Sequence, residues 1–311
     1  MVNRTINHFD ILAAKQAYSE GKNVTELLRN QLNVVGNTSE IIETAYDLQA
    51  GSYIEYVVRN LAQATSYATE LASILDMHTN PRNSMLDIGT GELTTLSLVT
   101  RELANKPKRI FAFDISWSRL HVGLHFAKKL LGADYGRLKV FSADISGIPL
   151  PDKSVSIATS SHALEPNGQN LYELMSELFR VTLDKLVLFE PCYEINTEEG
   201  RRRMDKLGYI KGLDDVVEKL GGKVIEKIRI RNSINPLNPT VCFVIVPSPR
   251  PASINSDNVK NGIFSVPGTN KPMRRVGGFY FSNETGLCFP VLRSIPILKS
   301  KAAILASALA D

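Results

Sequence analysis

The sequence predicts an α/β fold built on a mostly parallel sheet, and three observations carry that prediction. From residue 84 onward short apolar runs alternate with amphipathic segments of helix length. The first of these runs ends in a glycine-rich turn. Two late β-rich runs then follow each other with no room for a helix between them.

Residues 1–80 read as a helical cap, because apolar residues recur at helical spacing in "VTELLRNQL" and "YIEYVVRNLAQATSYATELASIL". Pro81 and Asn83 break that pattern. Residues 81–247 then alternate. "SMLDIG", "RIFAFDIS", "LKVFSADIS", "SVSIATSSHAL" and "KLVLFEP" have the length and composition of strands. "TTLSLVTRELA", "WSRLHVGLHFAKKLLG" and "NLYELMSELFRVT" between them are helical. Strand and helix in alternation argue βαβ units and a parallel sheet. After the helix "LDDVVEKLGG" come "KVIEKIRIR" and "TVCFVIVP", which without a crossover helix must pair antiparallel. The sheet is therefore Rossmann-like, with one antiparallel strand at its end. Residues 248–262 are rich in Pro, Ser and Asn and read as a linker. Residues 263–311 form a small β module, with "GGFYFS" and "LCFPVL" as strands and "KSKAAILASAL" as a short closing helix.

Composition bounds the function. Hydrophobic residues make up 43% and charged residues 22%, enough apolar material for a globular core. The net charge of +4 is spread over nearly balanced acids and bases, and its densest run, Arg201 to Arg203, reads as a solvated helix face. That does not favour nucleic acid as the partner. Three distant cysteines, Cys192, Cys242 and Cys288, make no disulfide framework, so a cytoplasmic location is expected. The first residues, "MVNRTINHFD", hold no apolar signal core, and no stretch is apolar enough to span a membrane.

The chemistry concentrates in "MLDIGTGELTTL", Met85 to Leu96, where a strand meets a helix through Gly89 and Gly91. Glycines there let the backbone approach a ligand closely. Asp87 stands where a dinucleotide-binding turn has its first glycine, and a carboxylate there repels a pyrophosphate and attracts a cation. Asp114 ends the second strand, 23 residues after Gly91, where an acid can accept both ribose hydroxyls. Asp144 follows the third strand and suits an adenine amino group, beside the apolar Ile145.

Over roughly residues 40–247 the chain resembles the class I S-adenosylmethionine-dependent methyltransferases. "LDIGTGE" resembles that family's glycine motif, "FAFDIS" its acidic second motif and "SADISGIPLPDKSVSIA" its adenine-side motif. The resemblance implies that S-adenosylmethionine is the cofactor. It places Asp87, Gly89 and Gly91 at the methionine moiety, Asp114 at the ribose, and Asp144 and Ile145 at the adenine. Ile115 and Ser160, beside the ends of the second and fourth strands, join this set. "AYDLQAGSYIEY" resembles a lid segment, in which Tyr53 or Tyr46 covers the cofactor. One departure stands out: Leu93 occupies a place where the family often has glycine, which bears on pocket width at the methionine end. The tail "GGFYFSNETGLCFPVLRSIPIL" is similar to the end of Trm112-like zinc-ribbon modules. The cysteine pairs of those modules are missing here, so the module is expected to be metal-free, since Cys288 alone cannot hold structural zinc. It also offers a surface for a second copy of the chain.

The acceptor should lie beyond the carboxyl ends of the fourth and fifth strands, "SSHALEPN" and "FEPCYEIN". His162, Glu165 and Glu190 are the candidate catalytic residues, with Tyr193 and Glu194 nearby and Asn235 and Asn238 on a rigid loop. His162 is the natural base where the acceptor is a hydroxyl. The leading expectation is methyl transfer to a small molecule or a glycan or lipid precursor. The rivals are an RNA methyltransferase using the tail as a platform, and a non-catalytic scaffold.

Overall fold

The computed structural model describes residues 5–6, 9–233, 235–248 and 264–309. A short antiparallel ladder opens it, β1 (Thr5–Ile6) with β2 (Phe9–Asp10), where the sequence suggested only helix. Five helices follow: α1 (Ile11–Ser19), α2 (Val24–Leu32), α3 (Ser39–Asp47), α4 (Ser52–Arg59) and α5 (Leu61–Asp76). Polar side chains start three of them, with Asp10, Asn23 and Thr38 accepting from first-turn N–H groups.

The alternating region runs β3 (Ser84–Ile88), α6 (Thr94–Glu102), β4 (Arg109–Asp114), α7 (Trp117–Leu131), β5 (Leu138–Ser142), β6 (Val155–Ser161), α8 (Leu171–Val181) and β7 (Thr182–Pro191). It closes with α9 (Glu198–Leu207), α10 (Leu213–Lys219), β8 (Lys223–Arg229) and β9 (Thr240–Val246). The seven strands lie in the order β5-β4-β3-β6-β7-β9-β8. β9 is antiparallel to both neighbours. The reversed strand thus sits one place in from the edge, and β8 outside it runs with the parallel set.

Alternation of side chains along each central strand explains why both faces are covered. Leu86 and Ile88 of β3 pack on one face with Met175 and Leu178 of α8. Met85, one residue before Leu86, packs on the other face with Leu96 of α6 and Ala127 of α7. Val187 and Phe189 of β7 meet Leu71 and Leu75 of α5.

The tail makes a five-stranded sheet from β10 (Arg274–Val276), β11 (Phe279–Phe281), β12 (Leu287–Leu292), β13 (Ile295–Pro296) and β14 (Ile304–Leu305). Phe264, Phe289 and Leu298 are buried in the same core as Phe141. Ile297 bridges Ser142 of β5 in parallel, and the Leu298 N–H donates to the Ser142 carbonyl at 2.7 Å. The helix expected over "KSKAAILASAL" is absent. Ile304 and Leu305 pair with β12, between two single turns of 3₁₀ helix. A segment this short is marginal as an isolated helix, so the ladder overrides its alanine content. The linker read at 248–262 lies, from residue 249 on, outside the described residues. Among the described residues no helix is long and apolar enough to cross a membrane, and no group of three or more His, Cys, Asp or Glu is arranged to hold a metal ion.

Candidate active site

The carboxyl ends of β3, β4 and β6 open under α3 and α4, and the glycine turn sets that geometry. Gly89 and Gly91 both have positive φ, 58° and 57°. A Cβ on Gly89 would come within 2.6 Å of the Ala163 Cβ, so no other residue fits the turn. Leu93 takes a third positive φ, 58°, at the start of α6. The backbone asks for glycine there, and leucine carries the strain by burying its side chain completely with Met85 and Leu96. That side chain points into the core and does not narrow the cleft.

Asp114 braces the turn. One of its carboxylate oxygens accepts the Gly91 N–H at 2.9 Å and the other accepts the Ser116 N–H at 2.8 Å. Asp87 lies deeper. It is buried, and burial, partly opposed by the neighbouring Thr90, pushes its pKa up to about 7. It borders a small void under the turn and not the cleft itself.

The cleft is a cavity of about 120 Å³. Gly89, Asp114, Ile115, Asp144, Ile145 and Tyr53, all read from the sequence, line it. Ser160 does not: its hydroxyl donates to Glu190 at 2.6 Å, and its neighbour Ser161 faces the cleft instead. Strand alternation makes a shift of one residue decide which serine is presented. Typical ligand cavities run to roughly 300–1,000 Å³, so this one is narrow by itself.

Three charged residues that the sequence reading passed over fasten the lid. The buried Glu92, directly after the glycine turn, accepts the N–H groups of Gly51 at 2.9 Å, Tyr53 at 3.4 Å and Ile54 at 2.8 Å. It thereby caps α4 from the core side. Asp47, at the end of α3, accepts from both Ser116 and Ser118 at the start of α7. Arg119 lies between the rings of Tyr46 and Tyr53, at 5.1 and 4.6 Å, and against Gly91, where a Cβ would collide with it. It is 8% exposed, its Nε has no partner, and the Asp114 carboxylate stands off at 3.8 Å. Among the described residues nothing hydrogen-bonds its guanidinium. Its charge is met by the Asp114 carboxylate and the faces of the two rings.

A second cavity, of about 480 Å³, adjoins the first. Tyr56, Val57, Ala64, Tyr67 and Leu98 form its apolar walls, and among the described residues no Lys or Arg lines it. Tyr53, Ser161, His162 and Glu165 border both cavities. His162 Nδ1 lies 2.8 Å from Glu165, and its Nε2 lies 2.8 Å from the Thr240 hydroxyl. The carboxylate can only accept, so Nδ1 carries the proton, and in the neutral ring Nε2 accepts from Thr240. Burial alone would lower the His162 pKa, but the Glu165 hydrogen bond and charge raise it, and the net shift is upward. Asn238 donates to Glu165 at 2.9 Å and so holds the pair from the loop side.

His162 has a φ of 59°, in a region that histidine visits more readily than most residues. Glu190 maintains that bend. It is wholly buried, and one oxygen accepts from the Ser160 hydroxyl and from the Ala163 and Leu164 N–H groups, at 2.6, 3.1 and 3.1 Å. Burial pushes its pKa up to about 7. Glu190 lines neither cavity, so its place is beneath the His162 loop and not beside an acceptor. Tyr193 and Glu194 also turn away, toward Asp205 and the Gly212 N–H. The strand exit after Pro191 carries them off the cleft.

Residues 86–185 match the methyltransferase domain family. The chain carries a methyltransferase domain. S-adenosylmethionine, the cofactor read from the sequence, belongs with that domain. No curated protein sequence matches the chain. Among solved structures, a chain of the Haloferax volcanii complex containing the Trm112 methyltransferase activator is similar at 14% identity and TM-score 0.51, covering 65% of this chain and 97% of that chain. The [4+2]-cyclase SpnF is similar at 14% identity and TM-score 0.50, covering 68% and 97%. Geranyl diphosphate C-methyltransferase from Streptomyces coelicolor shares 11% identity over 57% and 78%, at TM-score 0.45. At these identities the likeness is one of fold, and the family match ends well before the tail.

Proposed function

We propose that the chain transfers a methyl group from S-adenosylmethionine to a hydroxyl on a small, largely apolar acceptor. One observation carries this reading: the narrow cleft at the glycine turn and the larger apolar cavity share Tyr53, Ser161, His162 and Glu165. A cofactor in the first and an acceptor in the second would meet at those residues.

The residues of the cleft suit the cofactor. Asp114 offers acceptors for ribose hydroxyls, Asp144 and Ile145 suit an adenine edge, and the Arg119 guanidinium suits a carboxylate. When bound, the cofactor supplies an electrophilic methyl. His162 Nε2 would take the acceptor's proton, directly or through the Thr240 hydroxyl that now occupies it, and Glu165 would stabilise the resulting imidazolium. Tyr56, Val57, Tyr67 and Leu98 would hold the acceptor's apolar body, and alignment supplies the rest of the rate.

Among the described residues, the absence of Lys and Arg from the walls of the second cavity favours such an acceptor over RNA. Because a cyclase shares this fold, the test must follow the methyl itself. Labelled S-adenosylmethionine offered with phenols, hydroxylated apolar compounds, glycan precursors and RNA should give saturable transfer to the apolar hydroxyls, with release of S-adenosylhomocysteine. Transfer to RNA alone would support the rival reading. Calorimetry showing no affinity for S-adenosylhomocysteine would remove both.

A further inference from the structure

The tail does more than cover the sheet, because two of its lysines reach the lid. Lys299 Nζ pairs with the Glu43 carboxylate of α3 and donates to the Ile115 carbonyl at 3.2 Å. Lys301 pairs with Glu40, three residues earlier on the same helix. Asp47, four residues after Glu43, is held by Ser116 and Ser118. Residues 40, 43 and 47 form one stripe of α3, pinned along its length by the tail and by α7. The adjacent stripe, Ser39, Ile42 and Tyr46, lines the cofactor cleft.

The second contact of Lys299 is as direct. Ile115 also lines the cleft and follows Asp114 in the chain. Its carbonyl takes both Lys299 and the Ser142 hydroxyl, at 3.2 and 3.1 Å. A further cavity of about 360 Å³ runs between Asp144 and Ile115 on one wall and Pro267, Gly268 and Lys299 on the other. The Lys299 side chain is 16% exposed, and its ammonium meets both of these acceptors.

We propose that the tail is a working part of the cofactor site, with Lys299 a positioning residue that sets cofactor affinity by fixing α3 and Ile115. This rests on the reading of the cleft as an S-adenosylmethionine site. Lys299 touches no atom of the cleft's ligand space itself. It acts by holding the helix that presents Tyr46 and the backbone that presents Ile115.

The test is calorimetry of S-adenosylhomocysteine on the full chain. Lys299→Met should weaken binding about tenfold, within the range usual for coupling between sites. Lys299→Arg should restore most of it, since guanidinium can serve both acceptors. Glu43→Ala, which leaves the tail and its lysine in place, should weaken binding similarly, and it reads the same contact should Lys299→Met fold poorly. The double variant should be no weaker than the worse single one. In turnover the KM for S-adenosylmethionine should rise while kcat at saturating cofactor stays within about twofold. Unchanged affinity in Lys299→Met or Glu43→Ala, or additive losses in the double variant, would overturn the inference. A wild-type chain that fails to bind would overturn the cofactor reading, and the inference with it.

Discussion

Glu92 offers the sharpest test of how the lid is held. Its carboxylate is 1% exposed and takes three backbone N–H groups at the start of α4, two of them at 2.8–2.9 Å and one at 3.4 Å. Hydrogen bonds to a charged acceptor contribute about 1.5–3 kcal/mol each, and the long one much less. Glu92→Ala removes all three, while water reaching the helix end recovers part of the loss. The net cost should be about 3 kcal/mol, which for a chain of this size lowers Tm by roughly 4–6 °C. Glu92→Gln keeps the shape and one accepting oxygen, and should cost about 1–2 kcal/mol. Because α4 carries Tyr53, affinity for S-adenosylhomocysteine should fall in both variants. Urea denaturation and calorimetry read the two effects separately. If Glu92→Gln matched the wild type in both, the carboxylate would not be what anchors the lid.

Two further outcomes follow from the His162 loop. His162→Ala should lose about 10²–10⁴ in turnover, with cofactor affinity nearly constant. The wild-type rate should climb with pH as His162 sheds its proton, at a value above the ordinary 6.5, and that limb should vanish in the variant; a retained limb removes His162 as the base. Glu190 has a folded pKa of about 7 against 4.5 for the ordinary group, so the native state holds the extra proton. Its contribution to stability is complete below pH 4.5 and fades as pH rises toward 7, by about 3 kcal/mol in all. Glu190→Gln cannot ionise, so relative to the wild type it should be less stable at pH 5 than at pH 8. A difference between the two proteins that does not vary with pH would refute the assignment.

The sheet and most of the cleft were legible because they rest on local patterns. Strand and helix periodicity, the two glycines and Asp114 each lie within a single strand–turn–helix segment, and the backbone geometry follows from that segment alone. What escaped was set by contacts distant in sequence. Glu92 sits in plain view after Gly91, yet its partners lie on the other side of the cleft, 38–41 residues earlier in the chain. Arg119 reads as an ordinary polar residue of an amphipathic helix until Tyr46 and Tyr53 are placed over it. Glu190 carried the opposite error. A carboxylate at a strand end looks available to a ligand, and only the turn at His162 shows that three donors already claim it. The closing segment of the tail failed for a related reason, since nothing local to "KAAIL" signals that β12 needs a partner.

The seat of the tail against β5 has a bearing on the chain's behaviour in solution. An open sheet has two edges, and each is a row of unpaired backbone groups on which another chain can add. At one edge β8 carries Lys223, Glu226, Lys227 and Arg229, and charges on an edge strand discourage such addition. At the other, β5 has fewer charges, and the bridge from Ile297 and the Leu298 N–H cover its end. Cutting the chain before the tail would expose Ser142 together with the apolar surface that Phe264, Phe289 and Leu298 now bury. A shortened chain should therefore self-associate, growing more turbid with concentration, whatever remains of its affinity for cofactor.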